Sequence, residues 1–147
     1  MSDFFDPEAF LTTETDQEGS TEFMAVPDGE YSAHIVEVEP KIVGQNNDMT
    51  VLDLNWDVQH PELSETVGRV STKIRQRVFL DLTDSNQLDM GVGKNITLNK
   101  VRDALGQNVA GEPWTPSRLK GGSAVVKVEQ RMWEERVFND VKAVIAA

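Results

Sequence analysis

The segment VLDLNWDV, residues 51–58, alternates apolar and polar side chains with a period of two. This period is typical of a β-strand that buries one face and exposes the other. Leu52, Leu54, Trp56 and Val58 share the apolar face, so we expect Trp56 to lie in the core. The segment therefore predicts a strand of a sheet that is packed on one side.

Four further strands and one helix surround this segment. The predicted elements are, in order, a strand over 30–38 that Pro40 ends, the strand over 51–58, a long strand over 68–82, a helix over 96–105 that stops at Gly106, and strands over 123–132 and 137–145. Short antiparallel strands must close on themselves or leave edges that aggregate. Five strands with one helix between the third and the fourth is the order of the OB-fold, a partly open Greek-key barrel. The sequence thus predicts an all-β, five-stranded OB-like barrel. An SH3-like barrel and a small sandwich stay open, because strand pairing cannot be read from one sequence.

The first 27 residues differ in composition from the rest. They mix Thr, Ser, Asp, Glu and Gly without a strand or helix period, which predicts a disordered acidic tail over 1–27 and a barrel domain over 28–147. Two apolar clusters, Phe4–Phe5 and Phe10–Leu11, interrupt this tail. They are too apolar for a segment that only aids solubility, so we expect them to dock on the barrel or on a partner.

Charge is distributed unevenly along the chain. The formal net charge is −11, but residues 1–40 hold eleven acids and no Lys or Arg. From Val67 onward the chain holds 13 bases and nine acids. An acidic front segment thus accompanies a mildly basic body, and the acidic total does not exclude nucleic acid as a partner.

The predicted third strand carries the first candidate site. Side chains alternate across a sheet, so Arg69, Lys73, Arg75 and Arg77 share one face with Phe79. Positions two apart on a strand lie roughly 6.5–7 Å apart, which approximates the phosphate spacing of an extended single strand. Cations in such a row neutralise phosphates, and an aromatic ring at its end stacks on a base. The alternative is a solvated polar face opposite the core.

The last hairpin carries the second candidate site. Lys127 and Arg131 lead along one strand to Trp133 near the turn, and Arg136 and Phe138 follow on the next strand. Exposed rings beside Arg suit base stacking and cation–π contacts.

The hairpin also has a purely structural interpretation. In that case Trp133 and Phe138 form a cross-strand pair that covers the barrel. Met132 and Val137 are expected to point inward in either case.

Enzyme chemistry has little support in the sequence. There are no cysteines and two histidines, which excludes thiol nucleophiles and zinc sites built on Cys. Asp53 and Asp57 lie four apart on one strand face, too far for a shared metal without further carboxylates. We expect no catalytic residue, no metal and no cofactor, and a metal-dependent nuclease would need clustered acids that the sequence lacks. No apolar run approaches the ~20 residues that span a bilayer, so we expect a cytoplasmic protein without a membrane partner.

Several short motifs occur in the order of the predicted elements. They are VPDGEY at 26–31, GR at 68–69, LNKVRDALG at 98–106, LKG at 119–121 and FNDVK at 138–142. In this order, over about residues 26–143, the chain resembles a family of small phage-encoded proteins of unknown function, found near replication and recombination genes, that look like single-stranded-DNA-binding OB-folds. The resemblance implies a viral accessory protein of replication or recombination, cytoplasmic in an infected host cell. The chain departs from better-known single-strand binders, whose acidic tail is C-terminal.

Together these observations predict sequence-tolerant binding of single-stranded DNA. Phosphates would contact Arg69, Lys73, Arg75, Arg77 and Lys127, bases would stack on Phe79, Trp133 and Phe138, and Arg131 and Arg136 would support them. The alternative is a protein–protein adaptor that uses the barrel and the acidic front segment, which would contact a replication or recombination protein. We also expect the tail to cover the empty groove and to leave it on binding. A monomer and a homo-oligomer both stay open.

Overall fold

The computed structural model describes residues 5–19, 25–59 and 71–147. The elements in this part of the chain are α1 (Pro7–Leu11), β1 (Gly29–Val43), β2 (Met49–Gln59), β3 (Ser71–Phe79), α2 (Ile96–Ala104), a 3₁₀ turn (Pro116–Leu119), β4 (Ser123–Trp133) and β5 (Arg136–Ile145).

The five strands form one antiparallel sheet, in the order β3-β2-β1-β4-β5. The all-β class and the five-stranded sheet predicted from the sequence are confirmed. The sheet curls until its two edge strands, β3 and β5, approach each other, although no hydrogen-bonded ladder joins them in the described residues. Curling encloses the apolar face and leaves a gap between the two edges.

The core is built from the inward side chains of the strands. The face predicted for the second strand is confirmed, since Leu54, Trp56 and Val58 have no exposed surface and Leu52 has almost none. Ile74 and Val78 on β3 and Val126 on β4 complete the same cluster. Because alternate side chains point to opposite faces, these positions also fix which residues point outward.

A polar pair lies inside this core. The Trp56 indole Nε1 donates a hydrogen bond of 2.9 Å to the Gln76 side-chain oxygen, and both residues are buried. An indole N–H is a donor that a buried tryptophan must satisfy. Gln76 therefore points inward from β3, and its hydrogen bond to Trp56 helps to fix the register of β3 against β2.

β1 extends past the position where the sequence predicts its end. Pro40 pairs with Leu52 in the middle of the β1–β2 ladder, and the strand continues to Val43. β4 pairs with β1 only from Gly29 to His34, so this part of β1 has no strand of the described residues on that side. A proline without an N–H is tolerated at such an edge.

α2 has nearly the predicted extent and packs one face on the core. Leu98, Val101 and Arg102 are buried, whereas Ile96 at the start of the helix is 54% exposed. The Arg102 guanidinium lies 4.2 Å from the centre of the Trp114 ring, so a cation–π contact accompanies this burial. The helix ends at Ala104, and Gly106 follows in the left-handed region, as expected of a helix stop.

The core begins before the predicted domain boundary. Val26 is buried in the main cluster, two residues ahead of position 28. The tail contains a short helix, α1, that Asp6 caps through hydrogen bonds from the backbone of Glu8 and Ala9.

We predict that Gln76→Leu destabilises the fold by about 1–3 kcal/mol, because the Trp56 N–H then stays buried without an acceptor. Urea denaturation followed by tryptophan fluorescence measures the loss. Gln45→Leu, the same change on the exposed β1–β2 loop, is the control and should change stability by less than about 0.5 kcal/mol. Equal effects of the two variants would contradict the assigned role of Gln76.

Candidate functional site

β3 presents its basic side chains on the outward face of the sheet, as predicted for the part of the strand that is described. The neighbouring strand, however, sets acids beside two of them. Arg77 pairs with Asp53 across the ladder, and Lys73 pairs with Asp57. No acid interrupts the row of cations within β3, but two acids of β2 lie directly beside it.

The Asp53 carboxylate lies at the centre of this face, with 1% of the residue exposed. Arg77 donates from Nε to Oδ1 at 2.9 Å and from a terminal nitrogen to Oδ2 at 3.0 Å. Such a two-pronged guanidinium–carboxylate contact is among the strong hydrogen bonds of proteins. The Lys41 Nζ lies 3.2 Å and the Arg75 Nη1 3.9 Å from Oδ2. Three cations from β1 and β3 thus converge on one carboxylate, which we call the Asp53 cluster.

The Asp53 cluster is ionised at neutral pH. The Arg77 guanidinium holds the pKa of Asp53 below its usual range and outweighs burial, which acts in the opposite direction; Lys41 adds to the lowering. Hydrogen bonds to Asp53, and then to Glu39, raise the pKa of Lys41. Asp53 likewise raises the pKa of Arg77.

Among the residues that the structure describes, the Asp53 cluster has more bases than acids. Glu39 lies 3.3 Å from the Lys41 amine, so two described acids face Lys41, Arg75 and Arg77. Arg77 has two donors committed to Asp53. The Arg75 side chain is 56% exposed and lies at the outer limit of an ion pair, so its charge is available to a further anion.

A cleft of about 610 Å³ lies in the gap between the sheet edges β3 and β5. The described residues that line it include the cations Lys73 and Arg75 from β3 and Arg131 from the β4–β5 hairpin, and the aromatic ring of Phe138. Asp57 and Asp140 also line it. The cleft thus brings together four of the residues that the sequence assigned to two separate patches.

On the hairpin side of the cleft, Arg131 contacts both Asp140 and Phe138. Its Nε donates to the Asp140 carboxylate at 2.8 Å, and its guanidinium carbon lies 5.2 Å from the centre of the Phe138 ring. Arg131 is directly opposite Phe138 in the β4–β5 ladder, which explains the contact. Asp140 therefore fixes Arg131 over the ring and neutralises part of its charge.

The end of this hairpin projects beyond the core. Met132 and Val137, which were expected to point inward, are 73% and 43% exposed, so that expectation is wrong. The two strands extend past the end of the β1–β4 ladder here, and the exposure of both side chains shows that the described core does not reach them. Trp133 is 59% exposed and pairs with Arg136, so the predicted direct pair of Trp133 with Phe138 does not form.

The turn itself departs from the usual hairpin sequence. Glu134 and Glu135 both have positive φ, at 50° and 64°. This backbone suits Asn-Gly, and each side chain adds strain there.

The other predicted site residues that the structure describes lie apart from the cleft. Phe79 is exposed at the other end of β3, beyond Arg77. Lys127 lies on β4 opposite Glu30. Trp133 and Arg136 are at the end of the hairpin, and Arg69 lies outside the described residues.

The sequence did not indicate two residues that shape this site. Asp53 reads as one polar position in an alternating strand, and its pairing with Arg77 depends on the register between strands. Asn139 reads as a polar position of β5, but it binds the backbone of Val26 beside the cleft. No local signal in the sequence marks either contact.

The described part of the chain contains no cluster of three His, Asp or Glu side chains placed to hold a metal ion. Among the same residues, no helix has both the length and the apolar character needed to cross a membrane. Asp81 and Asp89, two acids that follow β3, are engaged with the buried Asn95 through their side chain or backbone atoms.

We predict that Asp53→Asn lowers the free energy of unfolding by about 2–3 kcal/mol near neutral pH, through loss of charge-assisted hydrogen bonds. The pKa of Asp53 is lower in the folded than in the unfolded chain, where it is about 3.9. Its stabilising contribution is therefore complete above about pH 4 to 5 and is lost as pH falls through the folded-state pKa. The stability difference between the native chain and the variant should thus shrink in acid.

Urea denaturation over a pH series measures this difference. Asp57→Asn is the matched control on the same strand face, since Asp57 lies 3.8 Å from His34 and not in the Asp53 cluster. A loss as large for Asp57→Asn as for Asp53→Asn, or a difference that grows in acid, would contradict the proposed role.

No protein-family model matches the chain, and no curated protein matches it. The resemblance to phage-encoded proteins therefore stays a prediction from the sequence. Functional inference depends on the charges and the shape of the cleft and of the strands beside it.

Proposed function

We propose that this protein binds single-stranded DNA, without strong sequence preference, in the cleft between β3 and β5. The observation that carries the proposal is the convergence, in one cleft, of cations from β3 and from the β4–β5 hairpin with an aromatic ring, formed by Lys73, Arg75, Arg131 and Phe138. Cations neutralise phosphates and release counterions, and rings stack on bases of any sequence.

The charges in the cleft are available to different degrees. Lys73 forms no ion pair with any residue that the structure describes. Arg75 is exposed and only loosely paired with Asp53. Arg131 is fixed by Asp140 over Phe138. We assign the main phosphate contacts to Lys73 and Arg75. Asp53 holds the Arg77 guanidinium in place, so we assign Arg77 a positioning role and not a phosphate contact.

The outward face of β3 continues the cleft toward the β1–β2 loop. From Lys73 to Phe79 the strand covers about 20 Å, or roughly three nucleotide steps of an extended strand. Phe79 at the end of this strand and Trp133 at the end of the β4–β5 hairpin are exposed rings that suit stacking. This length agrees with the lower end of the site sizes of OB-folds, about four nucleotides.

The fold supports the same proposal. The strand order β3-β2-β1-β4-β5, the approach of β3 to β5 and a helix between β3 and β4 in the chain fit an OB-like barrel. Oligonucleotides bind OB-folds on the face of strands 2 and 3 and the adjacent loops. With the resemblance noted in the sequence, we place the protein in phage replication or recombination, in the cytoplasm of the infected cell.

A protein–protein adaptor is the second candidate, and one observation favours it. The rings of Phe5 and Phe10 contact each other in a tilted arrangement, with centres 5.1 Å apart, on the exposed N-terminal segment beside Asp6 and Glu8. An acidic segment with exposed rings suits a basic, apolar groove on a partner. An adaptor would not depend on Lys73 and Arg75, whereas DNA binding would.

We predict that Lys73→Glu together with Arg75→Glu weakens binding of oligo-dT more than tenfold. Each cation that contacts a phosphate contributes about 0.7 to the slope of log affinity against log salt concentration for single strands. The double variant should therefore reduce that slope by about 1.4. Fluorescence anisotropy of a labelled oligonucleotide over a salt series measures both quantities.

The matched control is Lys94→Glu with Lys100→Glu, which makes the same change of charge on and before α2, away from the cleft. We expect its affinity to stay within about twofold of the native value if binding depends on the cleft and not on net charge. Equal losses in both double variants, or native binding that is indifferent to salt, would contradict the proposed site.

We predict that Trp133→Ala removes most of the fluorescence quenching caused by oligo-dT and weakens binding by about 1–3 kcal/mol. Trp133 is exposed at the end of the hairpin whose Arg131 and Phe138 line the cleft, whereas Trp56 is fully buried and Trp114 packs under Arg102. Trp114→Phe is the control and should keep the quenching. Persistence of the quenching in Trp133→Ala would show that the hairpin end does not contact DNA.

A further inference from the structure

The N-terminal segment enters the sheet beside the cleft. Ala25 lines the cleft, and Val26 next to it is buried. The Val26 N–H donates to the Asn139 side chain at 2.8 Å, and the Val26 carbonyl accepts bonds from Asn139 at 2.8 Å and from Gln130 at 3.1 Å. Both main-chain polar groups of this residue are thus held by β4 and β5.

This anchor fixes the origin of the tail at the rim of the cleft. Gly19 is six residues from Ala25, so a fully extended chain places it within about 20 Å of the rim. Phe10 is fifteen residues from Ala25, within about 50 Å. The acids of the tail therefore stay within reach of the cleft of their own molecule.

The described tail residues, 5–19, complement the cleft in charge and in apolar character. They contain five acids and no base, namely Asp6, Glu8, Glu14, Asp16 and Glu18. All residues of this stretch are exposed, and the Phe5 and Phe10 rings contact each other outside the core. The cleft offers Lys73, Arg75 and Arg131 to the acids and Phe138 to the rings.

We propose that the acidic N-terminal segment docks in the cleft of its own chain and competes there with single-stranded DNA. The docking itself depends only on the charges and rings above, and the competition rests on the proposed function. The anchored Val26 makes the contact intramolecular, with an effective concentration of the order of 1 mM. A docking equilibrium of similar strength leaves the cleft free for only part of the time, which lowers the apparent affinity for DNA by that fraction.

The first experiment detects docking without DNA. The chain has no cysteine, so Thr13→Cys accepts a single spin label in the exposed tail of the full-length protein. We expect the label to broaden the amide signals of Lys73, Arg75 and Phe138, and we expect high salt to restore them, because screening weakens exposed ion pairs. Signals at the cleft that stay sharp at low salt would overturn the proposal.

A mixed sample tests whose tail occupies the cleft. Isotope-labelled chain without the spin label is combined with spin-labelled chain of natural isotopic abundance. Broadening that appears only within one chain supports intramolecular docking. Broadening that transfers between chains would replace it with a contact between two copies.

The second experiment measures competition. The five acids of residues 5–19 are changed to the matching amides in the full-length chain, where their exposure makes an effect on folding small. We expect oligo-dT to bind about two- to tenfold more tightly at low salt and the gain to disappear at high salt. Phe5→Ala with Phe10→Ala keeps the charge and tests the contribution of the rings, with a smaller gain expected.

The two experiments separate failure of docking from failure of the proposed function. If the spin label broadens the cleft signals but no variant binds oligo-dT, tail docking is supported and the proposed DNA binding is wrong. If the cleft signals stay sharp and the five amides do not change oligo-dT binding, DNA binding is supported and tail docking is wrong.

Discussion

One buried carboxylate holds together the outward face of the central strands. Asp53 lies on β2, between β1 and β3, and receives Arg77 in two hydrogen bonds and Lys41 at ion-pair distance. A carboxylate buried this deeply needs such partners, because an unpaired charge in this position would be costly. Because Arg77 neutralises Asp53, part of the positive charge of β3 is not available to an external anion. The same contacts fix the positions of the Arg77 and Lys41 side chains.

This arrangement divides the basic residues of β3 into two groups. Arg77 is bound by Asp53, so its guanidinium joins β3 to β2 and is less available to a ligand. Lys73 and Arg75 point to the gap at the sheet edge, where they meet Arg131 and Phe138 from the hairpin. The proposed DNA site is therefore narrower than a continuous track of four cations, and it depends on how closely β3 approaches β5. Curling of the sheet is what brings the two patches together.

The same gap determines where the N-terminal segment leaves the core. Asn139 on β5 satisfies the N–H and the carbonyl of Val26, and Gln130 on β4 adds a second donor to that carbonyl. A segment with many acids is thus tethered beside Lys73, which forms no ion pair with a described residue, and Arg75, which is only loosely paired with Asp53. The proposed competition between this segment and DNA depends on that tether.

The sequence by itself indicated the five strands, the buried faces of β2 and β3, and the uneven distribution of charge. These properties follow from the period of two in segments such as 51–58 and from local composition, which a single chain displays directly. Tertiary structure alone decided that Asp53 binds Arg77, that Arg131 lies over Phe138, that Met132 and Val137 lie in solvent, and that Val26 is anchored beside the cleft. Each of these contacts joins residues of different segments or depends on where the core ends. Their physical basis is the register and curvature of the sheet, which arise from packing among all five strands and leave no local pattern in the sequence.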